Sequence, residues 1–298
     1  MKEDKEFLKE LSERLEKALE ISSDCELCPR KCHVNRLKGE KGFCKTGRNA
    51  VVSSFGPHFG EEKVLVGRHG SGTIFFTHCN MACVFCQNYD ISQLGKGKEV
   101  SAQELANTML ELQKMGCHNI NLVSPTHCVP QIMEALLYAF EGGLKVPIVY
   151  NTGGYDSVDT LKLLEGIVDI YMPDIKYGND ERGMRYSSAP NYFSVAKSAV
   201  REMHRQVGDL KTDDRGIAIK GLLIRHLVLP NDLAGTEKVM EFLATEISTE
   251  TFVNIMDQYR PLHKAFQYPE LSRPITRMEF KRAIEIAQNY GIHRICRL

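Results

Sequence analysis

Phe7, Leu8, Leu11, Leu15, Ala18 and Leu19 recur at helical spacing within an otherwise charged stretch, which predicts one amphipathic helix over the first twenty residues. Residues 24–48 have no such period. Four cysteines share that stretch with Pro29, Gly39, Gly42 and Gly47, a composition that predicts loops stapled by metal, since so few apolar side chains cannot form a core. From residue 72 the pattern changes to short apolar runs, each followed by a helical stretch. Strands are expected at 73–77, 119–123, 147–150, 168–172, 222–229 and 252–256. Helices open at two capping boxes, Ser101-x-x-Glu104 and Thr276-x-x-Glu279, and the short run 292–296 is a candidate final strand.

Near-continuous apolar strands alternating with helices imply a parallel sheet with its outer face covered, and right-handed crossovers curl such a sheet toward a barrel. The expected fold is α/β, a partial (β/α)6 TIM-like barrel preceded by an N-terminal helix and a Cys-rich module. The expected division is residues 1–70 for the helix and metal-binding module and 71–298 for the barrel. There is no internal repeat and no low-complexity tract.

Charge changes this picture little. Lys plus Arg and Asp plus Glu both number 38, so no global positive field exists to hold nucleic acid, and a nucleic-acid partner is disfavoured. No apolar run reaches the roughly 18 to 20 residues that span a bilayer, and the first residues are charged rather than signal-like. The expected location is cytoplasmic, without membrane association. Ten cysteines in that setting point to metal ligation or redox chemistry more than to disulfides.

Seven of those cysteines lie in two clusters. The loop after the strand at 73–77 reads HCNMACVFCQNYDIS and spaces its thiols as Cys79-x3-Cys83-x2-Cys86. A structural zinc or an electron-transfer cluster takes four protein ligands, whereas three thiolates on a [4Fe–4S] cluster leave one iron open to a small molecule. The competing readings are a zinc site completed by a distant histidine and unligated thiols. Upstream, Cys25-x2-Cys28-x3-Cys32-x11-Cys44 offers four thiolates, a closed shell suited to zinc or to an auxiliary Fe–S cluster, with His33 and His58 as substitutes for one ligand. Cys117, Cys128 and Cys296 read as ordinary buried thiols, Cys128 being the one nearest the presumed pocket.

Polar residues gather where the other expected strands end: Ser124 and Thr126, Asn151 and Thr152, Asp174 and Lys176, Arg225, and Asp257 with Gln258. Active sites of barrels lie at the carboxyl ends of strands. Capping of the next helix explains Ser124 or Asn151 singly, and a surface ion pair is the alternative for Arg225. Two long connections, 177–192 and 258–275, carry Tyr177, Arg185, Tyr186, Tyr192, Tyr259, Arg260, His263, Phe266 and Tyr268, a mixture suited to a lid over a polar ligand or a peptide, and equally to a solvated loop.

The three-cysteine spacing, with Phe85 directly before the third cysteine, is identified as the radical S-adenosylmethionine signature. Across nearly its whole length the chain resembles the activating enzymes of glycyl-radical proteins, above all their pyruvate formate-lyase activating enzyme-like relatives. The segments are CELCPRKCHVNRLKGEKGFCKTG at 25–47, FGPHFGEEKVLVGRHGSGTIFF at 55–76, CQNYDIS, SPTH at 124–127, NTGGYD at 151–156, MPDIKYG at 172–178 and MDQYRP at 256–261. The resemblance implies a [4Fe–4S] cluster on Cys79, Cys83 and Cys86 whose open iron chelates S-adenosylmethionine. An electron from a flavodoxin or ferredoxin would then release methionine and a 5′-deoxyadenosyl radical.

By the same resemblance Asp174 and Lys176 match an Asp-x-Lys beside the cofactor carboxylate and a monovalent cation. Asn151, Thr152 and Met172 fall at the other cation positions, Asn151 standing where activating enzymes carry Asp, which removes a charge hard cations prefer. Phe85 belongs to the cofactor-binding set. SPTH replaces a Gly-Gly-Glu motif, leaving Ser124 and Thr126 hydroxyls as acceptors for the cofactor ammonium, and Arg225 suits the carboxylate. The substrate implied is a glycine of a partner protein, which would make the chain an activase-like oxidoreductase. The alternatives are a radical enzyme acting on a small molecule or another macromolecule, and a metal-binding protein without catalysis.

Overall fold

The computed structural model describes residue 2 and residues 4–296; Met1 and Glu3 of the expected first helix, and Arg297 and Leu298 of the expected barrel domain, lie outside the described residues. Helix α1 runs Lys5–Ser23, opened by the Asp4 side chain, which accepts the Glu6 N–H at 3.2 Å. Its buried stripe is Leu11, Leu15 and Ala18, and Phe7 meets Phe140 edge-on with centroids 5.9 Å apart. The cysteine-rich stretch that follows is loop apart from a 3-10 turn at Arg36–Lys38.

The remaining elements are β1 (Ala50–His58), α2 (Lys63–Val66), β2 (Ser71–Phe76), α3 (Tyr89–Ser92), β3 (Lys98–Val100), α4 (Ala102–Lys114), β4 (Ile120–Val123), α5 (Val129–Glu141), β5 (Ile148–Thr152) and α6 (Val158–Leu163). They continue with β6 (Ile170–Pro173), α7 (Asp180–Ser187), α8 (Tyr192–Val207), β7 (Lys211–Thr212), β8 (Ala218–Leu227), α9 (Thr236–Phe242), β9 (Phe252–Met256), α10 (Arg277–Asn289) and β10 (Ile295–Cys296). Among the described residues no helix is long and apolar enough to cross a membrane.

The six expected strands are all present, as β2, β4, β5, β6, β8 and β9, and each pairs in parallel with the next. The sheet order is β10-β9-β8-β6-β5-β4-β2-β1-β3, with β7 antiparallel on β8, so the sheet is largely parallel and does not close. Three strands were not foreseen: the short β7, and two on the far side of β2. β1 lies antiparallel against β2, and β3 antiparallel against β1. The signal in β1 is weak because Gly56 and Pro57 break its alternation and its second half is largely solvent-facing.

Alternate residues of the parallel strands face opposite ways. Ile74, Ile120, Leu122, Ile148, Tyr150, Leu222, Ile224, Val253 and Ile255 pack outward in the main core shared with the helices. Val149, Ile170, Met172 and Leu223 face inward and close around Leu65 of α2, which is fully buried. The amino-terminal end of the barrel is thereby filled. Met172 therefore belongs to this inner apolar layer, beneath the strand ends.

Both capping boxes form. In α10 the Thr276 hydroxyl accepts the Glu279 N–H at 3.2 Å while Glu279 accepts the Thr276 N–H at 2.7 Å and bonds Arg273. Arg273, acting against partial burial, holds the Glu279 carboxyl below its usual range. A carboxyl depressed by folding stabilises the fold above its unfolded pKa of about 4.3, and that contribution is lost as pH falls. Glu279→Ala should lower stability by about 1 kcal/mol at pH 7. In urea denaturation curves the gap to the unaltered chain should narrow progressively below about pH 4.

Candidate active site

The loop carrying Cys79, Cys83 and Cys86 leaves the carboxyl end of β2 and is held by backbone bonds to the end of α7: Ala82 N–H donates to Ser187 O at 2.9 Å and Val84 N–H to Tyr186 O at 2.8 Å. Each sulfur has a hydrogen-bond partner beside it. The Met81 N–H reaches Cys79 Sγ at 3.4 Å, the Ser187 hydroxyl donates to Cys83 Sγ at 3.0 Å, and Ser92 Oγ lies 3.2 Å from Cys86 Sγ. Burial pushes the Cys79 thiol up to about 12 and raises Cys83 as well, with Lys176 opposing the rise in both. Thiolates desolvated in this way need a cationic centre to hold them, and a polycationic iron–sulfur core is one.

The three cysteines line one side of a cavity of about 240 Å3 whose other side is formed by the strand ends, Ser124, Asn151, Thr152, Asp174, Lys176 and Arg225. Phe85, Met81 and Tyr259 supply an apolar wall, with Phe85 and Tyr259 edge-on at 5.6 Å. The polar side is organised by Asp174. Arg225 Nε donates to Asp174 Oδ1 at 2.8 Å, Lys176 Nζ donates to Oδ2, and Arg225 Nη2 donates to Asn151 Oδ1 at 2.7 Å. Burial pushes the Asp174 pKa up, but Arg225 and Lys176 outweigh it and keep the carboxyl below its usual range. Burial likewise opposes the charge on Lys176, and Asp174 with Cys83 more than restores it.

Backbone geometry fixes this arrangement. The Tyr192 hydroxyl accepts the Lys176 N–H at 3.0 Å and faces the carbonyls of Gly153 and Asp174 at 2.8 and 3.0 Å. Gly154 has φ +78°, and a Cβ there would stand 2.2 Å from the Asp174 carbonyl oxygen, so only glycine fits. Thr126 does not border the cavity. Its hydroxyl is buried, donating to Asp156 Oδ1 at 2.7 Å and lying 3.0 Å from Thr152 Oγ1, which itself donates to Asp156 Oδ2 at 2.7 Å. Thr126 thus positions Thr152 through Asp156, and Asp257 stands outside the cavity, beside Phe280 and Lys281 of α10.

Acidic residues beside this centre were not singled out from the sequence. Asp156, four positions after Thr152, gathers the hydroxyls of Thr126, Thr152 and Tyr150. Glu61, ahead of α2, reaches Arg225 Nη1 at 3.5 Å from below; burial lifts its pKa to about 7 against the pull of Arg225. Its neighbour Glu62 accepts from Asn254 Nδ2 at 2.9 Å inside the barrel. The signal for Glu61 and Glu62 was their adjacency ahead of the apolar run at 64–66, and that for Asp156 its place in the NTGGYD segment.

The long connections turn out differently from a ligand-binding lid. Tyr177, Tyr186 and Tyr192 are buried behind the cysteine loop, packed with Tyr155, Phe85 and Tyr259, because rings of that area are driven out of water. Only Tyr259 and Gln258 of those stretches reach the cavity, and 177–192 contains α7 rather than free loop. Cys128 is buried in the main core and away from the cavity.

Cys25, Cys28, Cys32 and Cys44 border a separate small enclosed space together with Arg30, Arg36 and His127. Burial pushes the Cys28 thiol up to about 12. His33 and His58 stand apart: His33 Nδ1 faces Asp24 Oδ1 at 3.0 Å near the surface, and His58 packs edge-on to Phe75. His127, not singled out from sequence, is the histidine beside the four thiols, fully buried with Nε2–H donating to Thr77 O at 2.8 Å. Among the described residues no group of three or more His, Cys, Asp or Glu side chains is gathered so as to hold a single metal ion.

The Radical SAM superfamily profile matches residues 73–243. An uncharacterized protein of Methanocaldococcus jannaschii is 36% identical over 291 residues, covering 95% of this chain and 79% of its own length. A second uncharacterized protein of the same organism is 24% identical over 289 residues, with 89% and 78% covered. Among solved structures, a radical SAM methyltransferase from Sphaerobacter thermophilus superposes with a TM-score of 0.50 at 15% identity, over 74% of this chain and 64% of that one, a likeness of fold alone.

Asp174→Asn should leave Lys176 and Arg225 without their shared carboxylate while leaving the cysteine loop intact. The expected outcome is S-adenosylmethionine affinity reduced roughly tenfold or more, with unchanged iron per chain, read by equilibrium dialysis beside iron analysis. Unchanged affinity would remove Asp174 from the cofactor site.

Proposed function

The chain belongs to the radical SAM superfamily, and we propose that it is a radical-generating oxidoreductase whose substrate is a glycine of a partner protein, in the manner of glycyl-radical activating enzymes. The observation that carries the radical chemistry is the convergence of Cys79, Cys83 and Cys86 with Asp174, Lys176 and Arg225 on one cavity at the carboxyl ends of the strands. When bound, a [4Fe–4S] cluster on the three cysteines supplies the electron that splits S-adenosylmethionine into methionine and a 5′-deoxyadenosyl radical.

The chain's own residues have defined tasks in this reading. Lys176 and Arg225 present N–H donors to the carboxylate of the methionine moiety, the guanidinium in fork geometry. Ser124 and Thr152 offer hydroxyl oxygens to its ammonium group, with Asp156 holding the Thr152 hydroxyl in place. Phe85, Met81 and Tyr259 keep water from the apolar wall, which matters because water competes with any reactive intermediate. Asn151, bonded to Arg225, orients that side chain.

The glycine substrate rests on the likeness of MPDIKYG, NTGGYD and the cysteine loop to activating enzymes. A second reading, radical modification of a small molecule or another macromolecule, is favoured by Ser124 and Thr126 standing where a Gly-Gly-Glu would be. We further propose that Cys25, Cys28, Cys32 and Cys44 form a second metal site, zinc or an auxiliary Fe–S cluster: the four thiols border one small space, and drawing them onto a metal takes a rearrangement of their side chains. We place the chain in a cytoplasmic, reducing setting with a flavodoxin- or ferredoxin-type electron donor, a reading supported by ten cysteines none of which is paired in a disulfide.

Anaerobic reconstitution with iron, sulfide and zinc analysis, followed by dithionite and S-adenosylmethionine, tests this reading. About four irons per chain with 5′-deoxyadenosine released places the radical cluster alone, and about eight adds a cluster at the four cysteines. Cys83→Ala should abolish 5′-deoxyadenosine release while the upstream site stays loaded. Release unaffected by that substitution would overturn the assignment of the three-cysteine loop, and no release from the fully loaded chain would leave a metal-binding protein without this catalysis. Electron paramagnetic detection of a glycyl radical on a glycyl-radical protein encoded alongside this chain separates the two substrate readings.

A further inference from the structure

Arg30 lies between Cys28 and Cys32 in the sequence, yet its guanidinium is spent on the other cysteine loop. Nε donates to the Asn80 carbonyl at 2.6 Å and Nη2 donates to the Ser188 carbonyl at 2.5 Å. Asn80 follows Cys79 directly, and its own amide Nδ2 donates to the Tyr155 carbonyl at 2.6 Å. Ser188 sits in the left-handed region at φ 49°, where its carbonyl is turned toward Arg30, and it follows Ser187, the donor to Cys83 Sγ.

The same guanidinium is seated from the module side by the ring of Phe43, the neighbour of Cys44, at 3.3 Å, with Tyr155 at 5.8 Å. It also borders the space enclosed by the four upstream cysteines. Burial holds its pKa below the usual value, and the groups opposing burial are Tyr155, Cys28, Cys32 and Cys79. One positive charge therefore stands between two sets of thiols, with its donors committed to the backbone that carries Cys79 and supports Cys83.

We infer that Arg30 is a positioning residue of the radical site: from the N-terminal module it fixes the peptides flanking Cys79 and Ser187, and its charge sets the reduction potential of the cluster those cysteines hold. Reduction adds a negative charge to the cluster, which a nearby cation stabilises, so losing Arg30 must make reduction harder. Hydrogen bonds from a charged donor to buried carbonyls are stronger than neutral ones, which suits Arg30 to hold both peptides against the loop. The inference rests on the three-cysteine cluster and holds whether or not the four upstream cysteines bind metal.

The test compares the unaltered holoenzyme with R30Q and R30K, each reconstituted to the same iron content at the three-cysteine site, by redox titration followed with electron paramagnetic resonance. R30Q, which lacks the charge, should shift the reduction equilibrium about tenfold toward the oxidised cluster, about 59 mV lower for a one-electron couple. R30K should recover most of that shift but change the g-values, because one ammonium cannot reproduce the planar two-carbonyl fork. A merely structural role would lower the melting temperature and leave the midpoint where it was. An R30Q midpoint and g-values equal to those of the unaltered chain would overturn the inference, and should R30Q fail to fold, unchanged g-values in R30K would do the same. Failure of the radical-enzyme reading is distinct: it shows as no 5′-deoxyadenosine from the unaltered chain.

Discussion

Asp174 holds one negative charge between Lys176 and Arg225 in surroundings where burial works against every ion present. Each of these groups is tolerable only because the others are there, since an unpaired buried charge costs several kcal/mol. The backbone enforces the pairing. Asp174 and Arg225 form a parallel bridge that continues the β6–β8 register, Ile175 N–H donates to Arg225 O at 2.8 Å, and Asp174 N–H donates to Thr152 O at 2.9 Å. Three strands are thus locked to one carboxylate, and Glu61 supports the guanidinium from the barrel interior.

Around this charged centre the packing divides the labour. On one side Thr126, Thr152, Tyr150 and Asp156 form a closed hydroxyl–carboxylate network whose members satisfy each other and leave little freedom for Thr152. On the other, Tyr155, Tyr177, Tyr186 and Tyr192 fill the volume behind the cysteine loop, with Tyr177 and Tyr192 edge-on at 5.4 Å. Tyr177 also bonds Ser187, the residue that donates to Cys83 Sγ. The loop is consequently held from behind by both packing and hydrogen bonds, the support that a functional site needs from its surroundings.

The parallel strands and both capping boxes were legible because their signals are local: apolar runs of strand length and paired side chains three residues apart. The cysteine loop and several strand-end polar residues that border the cavity were visible for the same reason, being contiguous in sequence, whereas Thr126 and Asp257 lie off it. What stayed hidden depends on contacts between distant segments. β1 is a strand because β2 pairs with it, Glu61 matters because Arg225 lies above it, and His127 faces four cysteines about a hundred residues upstream. The tyrosines of 177–192 were legible as aromatic but not as buried, since composition does not say which side of a loop meets the core.

Leu65 and its neighbours fill the amino-terminal end of the sheet's inner face, so the cavity is approached from the carboxyl ends of the strands. Ligands sharing one approach cannot come and go independently. If the function proposed above holds, the small molecule seated against Asp174 arrives before a partner that covers the mouth, and its fragments depart only after that partner has withdrawn. On that proposed reading, steady-state kinetics would be those of a compulsory sequence, with turnover waiting on release of the larger partner.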